Sequence, residues 1–183
     1  MVMMQTKVRH KTDWATAFND SNSVMEQWLT QVNRLSSTLD ATLGNFAIDL
    51  CSQRLQSLLP CEVDITGCTQ AWVRQVLFYS GDRIVGYART MIPPTLYSQL
   101  NLDALGNQPI GPQVLFKQPH LKRSDFEYCV LHQASVYYQQ MQQWVTEQLP
   151  SLLYARRSRF DQGDEPILLV EVLLPFSKRP VTV

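Results

Sequence analysis

The stretch Ala71-Trp-Val-Arg-Gln-Val-Leu-Phe-Tyr-Ser-Gly-Asp-Arg-Ile-Val-Gly-Tyr-Ala-Arg-Thr-Met-Ile92 decides the fold class. Residues 72–79 and 84–92 are rich in apolar and aromatic side chains. Ser80-Gly81-Asp82-Arg83 between them is turn chemistry, so the stretch predicts a β-hairpin. Pro93-Pro94 ends it, because proline cannot donate to a ladder. Downstream, residues 156–160 and 167–174 predict a second hairpin, with Pro166 and Pro175 bracketing its last strand. Upstream, residues 46–50 alternate as a strand, and residues 60–67 predict another short strand with turns. Met25, Trp28, Leu29, Val32, Leu35 and Leu39 recur at three- and four-residue spacing, which predicts helix over residues 20–43. Ser21 or Ser23 can cap it and Gly44 can stop it. Residues 95–105 predict a short helix capped by Thr95, residues 106–112 a Gly/Pro loop, and the Gln-rich residues 124–149 a further helical region. Hairpins with segregated helices read as α+β: a single antiparallel β-sheet with helices packed on one side, residues 1–183 forming one domain.

Composition narrows the function. The chain has 183 residues, with 16 Lys plus Arg against 16 Asp plus Glu. Zero formal net charge excludes the basic excess of a nucleic-acid binder. Charged residues are 17%, against ~25% in typical soluble chains, so the position of each one is informative. No stretch approaches the ~18 apolar residues of a membrane span. Lys7, Arg9 and Lys11 are followed by no apolar run of the kind a secretory signal needs, so a cytoplasmic location is expected. Cys51, Cys61, Cys68 and Cys129 form no CxxC pair, and His10, His120 and His132 are far apart, so no metal is expected and the thiols read as reduced. Gly-rich nucleotide loops and the nucleophile elbow of hydrolases are missing.

Several charges interrupt apolar strands. Glu171 lies inside Ile167-Leu-Leu-Val-Glu-Val-Leu-Leu174. A carboxylate in a strand buried on both faces costs several kcal/mol unless it is paired or functional. An edge position or a structural ion pair is one reading, and a functional carboxylate in a cavity is the other. A loop centred between Gly81 and Asp82 makes Arg74 and Arg89 direct cross-strand partners, which repel. An anion between them would relieve this, and guanidinium suits a carboxylate because it can donate two parallel hydrogen bonds. The alternative is that they splay to solvent or pair with separate acids. Alternation sends Arg156 to the face opposite Arg157 and Arg159. A symmetric turn then puts Arg157 and Arg159 with Glu171, an inference that a one-residue slip reverses. Together these residues suggest a pocket for a small, mostly apolar carboxylic acid with a polar far end.

Five segments carry a resemblance: Trp72-Val-Arg-Gln-Val-Leu77, Gly86-Tyr-Ala-Arg-Thr-Met-Ile-Pro93, Leu105-Gly-Asn-Gln-Pro-Ile-Gly111 with Leu115-Phe116, Ala155-Arg-Arg-Ser-Arg159, and Pro166-Ile-Leu-Leu-Val-Glu-Val-Leu-Leu-Pro175. In this order and spacing the chain resembles the bacterial chorismate lyase (chorismate pyruvate-lyase) family. The resemblance implies an enzyme, a carbon–oxygen lyase, that cleaves chorismate to 4-hydroxybenzoate and pyruvate toward ubiquinone, without metal or organic cofactor. It implies an antiparallel sheet with helical flaps over an enclosed site, and slow release of the aromatic product. Arg74 matches the arginine that binds the ring carboxylate. Ile110 matches a residue whose backbone N–H reaches the same group, and Glu171 matches the glutamate at the hydroxyl end. Leu35 falls at a pocket position on the N-terminal helix. Arg89 or Arg157 is expected to face the enolpyruvyl carboxylate, and Glu171 to act as proton donor or shuttle. The chain is expected to act as a monomer, with chorismate and 4-hydroxybenzoate as its small-molecule partners and no nucleic acid. The rival readings are a non-catalytic binder of small aromatic acids and a sensor module. Effector domains of one bacterial transcription-regulator family share this sheet, but the N-terminal third lacks a basic recognition helix. Between Phe116 and Tyr154 the chain is longer than the family pattern.

Overall fold

The computed structural model describes residues 13–183, so the reading of residues 1–12 lies outside the described residues. Seven antiparallel strands form one sheet: β1 (Phe46–Ser57), β2 (Gln70–Ser80), β3 (Arg83–Ile92), β4 (Lys122–Arg123), β5 (Glu127–His132), β6 (Leu152–Asp161) and β7 (Ile167–Leu173). The spatial order is β1-β2-β3-β7-β6-β4, with β5 also paired to β6. Both expected hairpins are present, and they meet where β3 pairs with β7.

Helices α1 (Ser23–Thr30), α2 (Leu35–Leu43), α4 (Pro94–Gln99) and α5 (Ile110–Gln113) gather over one face, against Val76, Phe78, Ala88, Leu169 and Phe160. The opposite face carries a second apolar cluster built on Val73, Leu77, Met91, Val170 and Val172, which α3 (Pro60–Thr66) and α6 (Val136–Gln142) flank. β7 is buried along its whole length because both clusters share it. This is why its sequence is apolar at every position but Glu171.

Several local expectations change. The helix over residues 20–43 is two helices. Its N-cap is Asn22, whose side chain accepts from the Met25 N–H at 3.1 Å. The break has a distant cause. The Arg156 guanidinium takes the Leu29 carbonyl at 3.2 Å and also bonds the Val32 carbonyl, while Arg123 takes the Asn33 carbonyl at 2.8 Å. Two cations thus satisfy the carbonyls that a continuing helix would have used. Residues 60–67 form a helix instead of a strand, with Pro60 in its first turn and Glu62 accepting from the Leu59 N–H at 3.0 Å. The helix expected over 95–105 ends at Gln99, begins after Pro93 rather than on a Thr95 cap, and is followed by a 3-10 turn at Leu102–Ala104. Within 124–149, the alternating Tyr128-Cys-Val-Leu131 is strand β5, and only Val136–Gln142 is helical.

Two registers also differ by one residue, with consequences for the site. Near the turn, Ser80 pairs with Arg83 and Tyr79 with Ile84, as expected. Phe78 then pairs with Gly86, leaving Val85 as a bulge. The added residue pairs Arg74 with Thr90 and Arg89 with Gln75, so the two arginines face opposite sides of the sheet. In the second hairpin Arg156, not Arg157, lies opposite Glu171. Six residues lie between the last pair, Phe160 and Ile167, which moves the register by one and flips every side chain.

Candidate functional site

On the face covered by α1 and α2, the sheet and the elements over it line a cavity of about 40 Å³. Its floor is Ile48, Val76, Phe78, Ala88 and Leu169, and its roof is Leu35 from α2 with Ile110 and Phe116 from the segment after Gly106. Arg74 closes one end and Glu171 the other. Glu171 is two strands across and two residues along from Arg74. Strand geometry therefore separates their backbones by roughly 12 Å. The span is apolar between a cation and a carboxylate.

Arg74 is 2% exposed and, among the described residues, has no acidic side chain as a hydrogen-bond partner. It donates to Gln53 Oε1 at 2.8 Å, the Gly106 carbonyl at 2.8 Å and the Gln108 carbonyl at 3.0 Å. All three acceptors are neutral. Burial therefore pulls its pKa down to about 10, opposed by the Tyr97 phenol. Gln53 in turn donates to Tyr97, whose hydroxyl bonds Asp103. The Tyr97 ring stacks on Trp72 with centroids 3.9 Å apart. This chain fixes the guanidinium without neutralising it. The two carbonyls that Arg74 holds belong to the segment leading into α5. Ile110 is the first residue of α5, where a backbone N–H has no partner in the helix ladder. One arginine thus anchors the segment that presents the Ile110 N–H.

The other end is anionic but crowded by cations. Glu171 Oε2 accepts from Arg156 Nε at 2.7 Å and from Arg123 Nη2 at 3.5 Å. Among the described residues nothing donates to its Oε1, which is therefore free to accept from a ligand hydroxyl. Arg123 is pulled down to about 10 by burial, with Glu171 opposing and Arg156 adding to the shift. Both readings of Glu171 hold in part: it is ion-paired, and it lines the cavity.

Of the residues expected from the sequence, Arg74, Glu171, Ile110 and Leu35 share this cavity. Arg89 and Arg157 do not. Arg89 lies on the opposite face in a bidentate pair with Glu62, at 2.7 and 3.0 Å, both side chains at most 1% exposed. Burial alone would lower Arg89, but the bonds and charge of Glu62 hold it above its ordinary value. Arg157 pairs with Glu127 at 2.8 Å and stacks over Trp14, and Arg159 pairs with Asp161. The Val85 bulge and the six-residue turn account for both corrections. Arg123 and Arg156 are what sequence reasoning missed at this end. A one-residue shift of the second hairpin would have found Arg156. Nothing in the local pattern marks Arg123.

The cavity offers no thiol nucleophile. Burial pushes the thiols of Cys51 and Cys129 up to about 11, and all four cysteines are free. Among the described residues no group of three His, Cys, Asp or Glu gathers that could hold a metal ion. No described helix is long and apolar enough to cross a membrane.

Comparison with known proteins places this geometry in a family. The chain shares 31% identity over 180 residues with a protein of Pseudoalteromonas translucida named probable chorismate pyruvate-lyase, covering 94% of this chain and 97% of that one. It shares 31% over 149 residues with probable chorismate pyruvate-lyase 1 of Pseudomonas entomophila, covering 79% and 78%. Among solved structures it resembles the possible transcriptional regulator YydK of Bacillus subtilis, with a TM-score of 0.55 at 10% identity over 86% of this chain and 67% of that one. That likeness concerns the fold alone. The sequence profile described as chorismate lyase matches residues 9–180, and the chain belongs to the chorismate lyase family of enzymes.

Proposed function

We propose that this chain is a chorismate pyruvate-lyase, releasing 4-hydroxybenzoate and pyruvate from chorismate. The observation that carries this reading is the apolar cavity between sheet and helices, with a guanidinium bonded to neutral acceptors at one end and a carboxylate at the other. A planar ring carrying a carboxylate and a para hydroxyl matches the two ends and the apolar lining of this cavity, and the covers must move apart to admit it because only about 40 Å³ stands open. Arg74 and the Ile110 N–H bind the ring carboxylate, with Leu35, Phe78 and Leu169 against the ring. Glu171 Oε1 accepts from the ring hydroxyl.

The reaction breaks the ether C–O bond to the ring, and its electron pair leaves with the enolpyruvyl oxygen. The ring carbon bearing the hydroxyl loses its hydrogen as a proton, and that C–H pair completes the aromatic ring. The proton lost balances the one gained as enolpyruvate becomes pyruvate. Aromatisation supplies the driving force, so the protein's work is mainly positioning and electrostatic stabilisation. Glu171 orients the hydroxyl-bearing carbon and is the nearest base or relay for its proton. The substrate is enclosed beneath α2 and α5, so aromatic product release requires these covers to open and is expected to limit turnover. In this reading the chain acts in the cytoplasm as a single-domain monomer and supplies the aromatic precursor of ubiquinone.

The test is incubation with chorismate while following 4-hydroxybenzoate absorbance and pyruvate. Equal amounts of both products support the reading. Tight 4-hydroxybenzoate binding with no turnover would make the chain a non-catalytic binder of aromatic acids.

A further inference from the structure

Chorismate carries two carboxylates, and the cavity described above accounts for one. The second must sit beyond the ether oxygen, near the Glu171 end. Three groups meet there. Arg156 and Arg123 together face a single carboxylate, so the cluster keeps a net positive charge. Arg156 is fully buried, and its Nη2 has no hydrogen-bond partner among the described residues. A buried, unmet guanidinium N–H pair is costly unless an anion or water completes it. Both guanidiniums lie 4.3 Å from the Phe126 ring centroid, an arrangement that tolerates two like charges in close approach.

Phe116 connects this cluster to the surface. It lines the cavity on one side and, on the other, an open pocket of about 320 Å³ shared with Asn33, Arg34 and Arg123. Arg34 and Arg123 stand over the Phe116 ring at 5.7 and 5.5 Å from its centroid. The aromatic ring is therefore the partition between the apolar slot and a cationic vestibule. Arg123 stands in the vestibule wall and touches Glu171, which lines the slot.

We infer that Arg123, backed by Arg156, binds the enolpyruvyl carboxylate of the substrate, and that pyruvate leaves past Phe116 through the Arg34–Arg123 vestibule. Arg123 has the donors for this. Its five N–H groups make one bond each to Ser158 Oγ, the Asn33 carbonyl and Glu171, the last a long one at 3.5 Å. The two products then occupy separate anion sites and leave by separate routes. Pyruvate departs through the open pocket while 4-hydroxybenzoate stays under the covers.

The inference rests on the chorismate reading of the cavity, and two measurements separate its failure from that of the reading. The first uses wild-type protein and no turnover. Pyruvate is titrated by ligand-observed NMR into protein saturated with 4-hydroxybenzoate. Pyruvate binding to the occupied protein, weakened tenfold or more by Arg123→Gln, is expected. Absence of pyruvate binding, or its exclusion by 4-hydroxybenzoate, overturns the inference whether or not chorismate is cleaved. The second compares ligands with one and two carboxylates. Arg123→Gln is expected to raise KM for chorismate at least tenfold while the Kd of 4-hydroxybenzoate stays within twofold, and Arg123→Lys to restore most of the loss. A merely structural role, through Asn33 and Glu171, would weaken both ligands by the same factor, and that result also overturns it.

Discussion

Arg74→Met separates the cost of the buried guanidinium from its use. The side chain is 2% exposed and, among the described residues, bonded only to neutral acceptors, so it is a buried cation with no acid bonded to it there. Exchanging a buried ion pair for apolar chains is often neutral or stabilising by about 1–4 kcal/mol, and removing a buried cation that has no bonded acid recovers desolvation of similar size. Against this, Gln53 Oε1 and two loop carbonyls lose their donors, at about 1–3 kcal/mol for each that stays dry. The two terms are of similar size, so the ligand-free Tm should move by no more than about 5 °C. Ligand binding should behave differently. A carboxylate held by a guanidinium gains about 1.5–3 kcal/mol per charge-assisted bond, so losing two costs at least 3 kcal/mol, over 100-fold in Kd. With 4-hydroxybenzoate at 100 times the wild-type Kd, wild type gains about 2.7 kcal/mol, or roughly 5–11 °C at this chain length. The variant, at about its own Kd, gains only ~0.4 kcal/mol, roughly 1–2 °C. Differential scanning fluorimetry with and without ligand reads both numbers. An undiminished ligand-induced shift in Arg74→Met would refute the assignment.

Three further outcomes follow from the same geometry. Glu171→Gln leaves Arg156 and Arg123 without their shared counter-charge, and should lower stability by about 3 kcal/mol and kcat at least tenfold, read by urea titration and steady-state assay; unchanged kcat would remove Glu171 from the chemistry. Arg89→Met strands Glu62 in the opposite core at a cost of about 3–5 kcal/mol, which Arg89→Met with Glu62→Met should partly recover, while 4-hydroxybenzoate affinity of the folded protein stays within twofold. Benzoate affinity should fall as pH rises through about 10, because burial holds the Arg74 guanidinium there and the deprotonated form cannot attract an anion. Benzoate keeps its own charge in that range, and proton uptake on binding, measured by calorimetry in two buffers, carries the sign. Affinity constant to pH 12 would contradict the role of burial.

The parts of this molecule readable from sequence are those governed by period-two alternation and by charge in apolar strands. Both hairpins follow from residues 72–92 and 156–174, and Glu171 stands out because β7 is buried on both faces. Arg74 was likewise visible as a cation among Trp72, Val76 and Phe78. What was not readable depends on insertions and on distant partners. The Val85 bulge moves Arg89 away from Arg74, although the register at the turn itself is the expected one. The connection at 161–166 exchanges Arg157 for Arg156. The break between α1 and α2 depends on guanidiniums about ninety and one hundred and twenty-five residues away in sequence, so helical periodicity ran through it. Strand β5 was hidden because the surrounding segment is Gln-rich and helical in composition.

Cleavage of chorismate in the slot between Arg74 and Glu171 is read by a single-turnover experiment, with enzyme in excess over chorismate and products quantified after rapid quench. One 4-hydroxybenzoate and one pyruvate per chorismate are expected, with pyruvate free and the aromatic product still bound, and loss of this turnover in Arg74→Met. Chorismate recovered intact from wild-type protein that binds 4-hydroxybenzoate, or full turnover by Arg74→Met, would contradict it.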